Sequence, residues 1–161
     1  MLEKNDLKVS GEAEATLLVF SLGTYQFGVD IAEIEYVFRP GEMTVVPLAR
    51  EEIQGIVNMR GRIVTAIDMR KIMKLERTPD EVIDSKNIVV EHGGEPYALV
   101  VDSIVSVVNI QVADVQEAPG TIPEQWRRDV VGLYKLESQL VVILSVPRLL
   151  KFLDETDEEC D

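Results

Sequence analysis

Histidine and cysteine, the side chains most often recruited as general bases, nucleophiles and metal ligands, occur once each in this chain, as His92 and Cys160. A lone cysteine excludes an intramolecular disulfide and favours a reducing, cytoplasmic setting. A zinc site would need ligands that the chain lacks, and His92-Gly93-Gly94 reads as an exposed hairpin loop. Cys160 lies in a tail, 154–161, that carries six acids and no base, where negative charge disfavours the thiolate a nucleophile needs. Positive charge is scarce as well. Sixteen Lys and Arg against 29 Asp and Glu leave a net charge of -13, so neither nucleic acid nor anionic lipid is an expected partner. No apolar run reaches the ~20 residues of a membrane-spanning helix, and Met1 to Asp6 lacks the basic and apolar regions of a signal peptide. These absences predict a cytoplasmic protein without membrane insertion, metal or cofactor.

What the chain does have is 46% hydrophobic residues, which argues against global disorder, arranged in a pattern that occurs twice. Gly55 to Met73 reads as strand, tight turn, strand and short helix, with Gly61 able to supply the positive φ of a hairpin turn. Gly132 to Leu150 repeats the pattern without a gap, and the tip changes from Arg60-Gly61-Arg62 to Glu137-Ser138-Gln139. Upstream, Tyr25 to Asp30 matches Tyr97 to Asp102, each preceded by an apolar strand and a glycine turn. The residues thus predict two all-β units of about 70 residues, each ending in a helical turn and stacked on a shared core. Residues 1–14 form a polar arm, 15–153 one domain divided near 84 and 85, and 154–161 the acidic tail. That division leaves open an exchange of strands between the halves.

Within this plan Ile31 to Phe38 fits either a strand or a helical turn, Met43 to Val46 is a strand stopped by Pro47, and Ala49 to Gln54 is a helical turn. Met69 to Leu75, Pro123 to Arg128 and Arg148 to Leu153 are short helices, and Glu76 to Lys86 links the copies. Asp30 and Asp102 are matched acids at strand ends. Paired carboxylates can act as acid and base, but duplication explains their symmetry through a shared structural role. Gly55 and Gly61 make no phosphate loop, because the Lys-Ser/Thr pair is missing. What stands out is charge. Arg50 to Arg77 holds seven bases and four acids, a local +3 in a protein of -13. The shared barrel pattern explains the apolar positions but not Arg60 and Arg62, and an arginine fork suits a carboxylate or carbonyl acceptor. The chain therefore reads as a protein that binds.

Gly55-Ile56-Val57-Asn58-Met59-Arg60-Gly61, followed by Ile67-Asp68-Met69-Arg70, resembles the Gly-x-x-Asn-Leu-Arg-Gly and Asp-Leu-Arg signature of the CheW-like domain family. The likeness extends over Leu17 to Leu150. It implies two SH3-like five-stranded β-barrels related by internal duplication and set back to back, with short connecting helices and a short C-terminal helix. It also implies a non-enzymatic scaffold that couples methyl-accepting chemotaxis receptors to the regulatory domain of the CheA histidine kinase at arrays on the inner face of the membrane. Carried across, Asn58, Arg60, Gly61 and Arg62 face the receptor, and Leu18, Val29, Ile34 and Val37 pack against the kinase, with Val29 and Ile34 forming an exposed apolar patch. Tyr36 stands where some relatives have an acid near the receptor groove, and Thr121 where some have an aromatic in the second-barrel loop used to close kinase–adaptor rings. Two other readings stay open: an adaptor of a sister chemosensory pathway controlling pili or gene expression, and a small-molecule enzyme using the cleft between barrels.

Overall fold

The computed structural model describes residues 14–39, 41–76 and 84–154. The polar arm up to residue 13, most of the linker and the tail beyond Asp154 with Cys160 lie outside the described residues. The elements in order are β1 (Glu14–Leu22), β2 (Tyr25–Asp30), β3 (Ile34–Phe38), β4 (Met43–Thr44), β5 (Ile53–Met59), β6 (Arg62–Asp68), α1 (Met69–Ile72), β7 (Lys86–His92), β8 (Glu95–Val101), β9 (Ser103–Gln111), α2 (Glu124–Arg127), β10 (Val130–Leu136), β11 (Gln139–Leu144) and α3 (Val146–Leu149). Several ambiguous stretches take definite form. Ile31–Glu33 is a single 3-10 turn ahead of β3, with Asp30 Oδ1 accepting from the Ala32 amide. Ala49 to Glu52 turns without a helix and β5 already begins at Ile53, while β4 ends at Thr44 and leaves Val45 exposed.

The strands form two sheets, in the orders β10-β11-β2-β1-β9 and β3-β7-β8-β6-β5-β4. Neither sheet stops at residue 84. Each takes its first hairpin from one copy of the repeat and its remaining strands from the other, through the parallel pairs β11 with β2 and β6 with β8. Under the duplication β10, β11, β2, β1 and β9 correspond to β5, β6, β8, β7 and β3, so one sheet order maps onto the other. The short β4 has as its counterpart a single bridge, Gln116 to Leu133. This crossing explains two glycines. A Cβ on Gly55 would sit 2.5 Å from the Thr44 carbonyl oxygen, and one on Gly132 would sit 2.7 Å from that of Gln116.

Register also corrects one match made from sequence. Thr65 and Val142 hold the same place in the repeated hairpin; Thr65 lies beside Tyr97 and Val142 beside Phe27. Phe27 therefore matches Tyr97, and Asp30 matches Val100 rather than Asp102. Identical Tyr and Asp spacing had suggested otherwise, but the ladder, not local likeness, fixes equivalence.

Alternation along the strands divides the core into three. Leu17, Val19, Val131, Val141 and Ile143 fill one barrel, and Val57, Val64, Ala66, Val89 and Ala98 fill the other. The largest cluster lies between the sheets, where Leu18, Phe20, Phe27 and Val29 meet Ile67, Ile88, Val90, Leu99 and Val101 under α1 and α3. Trp126 of α2 closes this layer, packing edge-on to Phe27 at 5.3 Å and donating its indole N–H to the Met73 carbonyl at 2.6 Å. Burial of aromatic area and a satisfied indole make this an effective seal. Next to the β1–β2 turn, Arg70 makes a two-pronged pair with Asp102 and donates to the Glu76 carbonyl, while Asp102 Oδ2 also accepts from the Gly23 amide. One nearly buried ion pair thus pins the β1–β2 turn of one sheet to α1 of the other.

Candidate docking site

The first tip is built by its backbone. Met59 pairs with Arg62, and the two residues between them take left-handed conformations, φ 52° at Arg60 and 83° at Gly61, as a tight twisted hairpin requires. Asn58 Oδ1 accepts from the Gly61 amide at 3.2 Å, so Asn58 stitches the turn. Arg60, Gly61 and Arg62 are exposed at its apex, and Asn58 is exposed beside them. β3 curls round to meet this tip: Arg62 lies 3.9 Å from Glu35, and the Arg60 guanidinium stands 5.5 Å above the Tyr36 ring. Ile63, 61% exposed, extends the surface with apolar area.

The four residues assigned to a kinase contact separate into two kinds. Leu18 and Val29 face each other across the β1–β2 ladder and are enclosed in the core between sheets. Val29 is 0% exposed, so the expected exposed patch of Val29 and Ile34 is not present in that form. The reason is that both faces of β1 and β2 are covered, one by their own barrel and one by the opposing sheet. Ile34 is half-buried at the margin of the same cluster, and Val37 is 41% exposed. β3 therefore carries available apolar residues alongside Glu35 and Tyr36, which touch the tip.

Several other polar residues are engaged in structure. Asp68 caps α1 through the Arg70 amide, as Ser145 caps α3 through that of Arg148. The cleft beside α1 is lined by Glu51, Asp68, Arg70, Lys71, Lys74 and Glu76, and its Asp68 and Arg70 are already committed to these contacts. His92, expected to be an exposed turn residue, meets Asp154 at 3.0 Å and the Tyr97 ring edge-on. Asp129 is buried, and loss of solvent pushes its carboxyl above the ordinary aspartate range against the opposing pull of Arg128 and Arg148. Among the described residues no cluster of three His, Cys, Asp or Glu could hold a metal ion, and no helix is long and apolar enough to cross a membrane. Chemically, the site offers guanidinium donors and apolar area. Sequence reading missed the Tyr36 ring as the seat of Arg60 and Ile63 as exposed surface, since neither follows from the strand pattern.

A family model described as the CheW-like domain matches residues 16–153. The chain is 26% identical over 145 residues to the chemotaxis protein CheW of Klebsiella aerogenes, covering 89% of this chain and 86% of the relative. It is 23% identical over 141 residues to that of Thermotoga maritima, covering 86% and 89%. Its structure is similar to the crystal structure of the scaffolding protein TtCheW from Thermoanaerobacter tengcongensis, with a TM-score of 0.75 and 28% identity over 85% of this chain and 92% of that one.

Proposed function

The chain belongs to the CheW-like domain family, and on that premise we propose that it is a non-enzymatic adaptor joining the cytoplasmic tips of chemoreceptors to the CheA histidine kinase. The observation that carries this reading is the unequal pair of hairpin tips. The fold repeats its strands and turn, but only the first tip presents exposed arginines, Arg60 and Arg62, with Ile63 beside them. In a chain of net charge -13, an exposed basic tip that the barrel does not require, beside exposed apolar area that both copies share, supports a protein partner there. We assign the receptor to Asn58, Arg60, Gly61 and Arg62, with Asn58 and Gly61 shaping the turn and the arginines making contact. The kinase regulatory domain is assigned to Ile34 and Val37, with Ile34 packed against the cluster that holds Leu18 and Val29. Such a protein works at receptor arrays on the inner face of the membrane without entering it. Co-sedimentation with receptor cytoplasmic fragments and with CheA from the same cell tests this: the chain should enter a complex with both, and failure to join either at micromolar concentration removes the reading.

A further inference from the structure

We infer that Tyr36 is a positioning residue for Arg60: its ring seats the guanidinium without neutralising it, so that the charge at the tip is left for an anionic group on the partner. The partner rests on the adaptor reading above; the seat does not. The 5.5 Å separation of the Arg60 Cζ from the Tyr36 ring centre is within the range of a cation–π contact. A guanidinium held by a ring face keeps its in-plane N–H donors free for a planar acceptor. The neighbouring arginine behaves differently, because Arg62 has Glu35 at 3.9 Å, whereas no carboxylate among the described residues pairs with Arg60. The seat is also braced. Tyr36 is half-buried against the core of its barrel, with the Phe38 ring 6.2 Å away, while Arg60 leaves a turn whose φ of 52° fixes its direction.

The second barrel supplies an internal control. Leu22 and His92 stand immediately before equivalent two-residue turns, so Val19 matches Val89. Tyr36 pairs with Val89 and Ser106 with Val19, which makes Ser106 the counterpart of Tyr36. Where the tip base becomes Glu137, the ring beneath it is therefore absent too. The ring and the base thus occur together in one copy and are both missing from the other.

The test is a double-mutant cycle read by affinity for a chemoreceptor cytoplasmic hairpin fragment. Tyr36→Leu should lower affinity about two- to fivefold, Tyr36→Phe should retain it, and Tyr36→Leu should have no further effect once Arg60 is replaced by Ala. Tyr36→Glu, which gives Arg60 an internal counter-ion, should make binding less sensitive to salt. On the free protein, the Arg60 side-chain proton resonances should be shifted by the ring current in the wild type and in Tyr36→Phe, and move to unshifted positions in Tyr36→Leu. An affinity unchanged by Tyr36→Leu, an equal loss in the Arg60→Ala background, or resonances that do not move overturns the inference. If the wild-type protein binds no receptor fragment, the adaptor reading fails on its own, and the resonance shift alone decides whether the seat exists.

Discussion

The tips Arg60-Gly61-Arg62 and Glu137-Ser138-Gln139 occupy the same place in two copies of one strand pattern, and they share part of their backbone. Glu137 repeats the left-handed conformation of Arg60, with φ 56° against 52°, although Ser138 does not follow Gly61 into it. The flanking exposed apolar residues match as well, Ile63 in one and Leu140 in the other. What differs is the charge and the residue at the ladder position of the ring that seats Arg60, Tyr36 in one barrel and Ser106 in the other. Features the fold demands recur in both copies: the crossing glycines Gly55 and Gly132, and the helix caps Asp68 and Ser145. Exposed features present in one copy are free to serve recognition. A buried difference teaches something else, for Arg70 has Pro147 as its counterpart and is used to fasten the two sheets.

That buried asymmetry should produce the largest effect. Asp102→Ala removes the carboxylate that pairs with the enclosed Arg70 and frees the Gly23 amide, so unfolding free energy measured in denaturant should fall by about 3 to 5 kcal/mol. A loss no greater than that of a surface change would mean that the sheets are held by apolar packing alone.

The glycines test whether the copies are equivalent where the fold requires it. Gly55→Ala and Gly132→Ala each force a Cβ into a carbonyl oxygen, and each should cost about 1 to 3 kcal/mol by overpacking. Similar losses in thermal or chemical denaturation support the equivalence. A loss at one position only breaks it.

A smaller effect, with a sign set by pH, belongs to the second copy. Burial favours the neutral form of Asp129 and raises its pKa in the folded state, so folding takes up a proton. The stability this provides is complete below the unfolded value of about 3.9 and is lost as pH rises through the folded value. Asp129→Asn should therefore stabilise the protein at neutral pH by about 1 kcal/mol, and the gain should shrink as the pH falls toward the unfolded value. A gain that grows in acid would reverse the assignment.

How far the sequence revealed these features depends on the range of the interaction. The repeated hairpin and its following helix were legible because alternation and a glycine turn are local signals, and the tip stood out by charge. Strand exchange was not, since the pairing of Thr65 with Tyr97 or Val142 with Phe27 leaves no trace in either segment. Burial of Val29 escaped for the same reason: an alternating strand shows which residues share a face, not whether a second sheet covers that face. The Arg70–Asp102 and His92–Asp154 contacts join residues 32 and 62 positions apart, beyond any helical or hairpin spacing. The resemblance places Tyr36 near the receptor groove, but its contact with Arg60 joins β3 to the β5–β6 turn and leaves no local trace.

The central claim, that the first tip serves recognition and not the fold, is tested most directly by titrating Arg60→Ala and Glu137→Ala against a chemoreceptor fragment and, separately, against the CheA regulatory domain. Both variants should keep thermal stability within about 0.5 kcal/mol. Arg60→Ala should lose receptor affinity while keeping its affinity for the kinase domain, and Glu137→Ala should change neither. Equal weakening of both partners by Arg60→Ala, or of neither, would contradict the account.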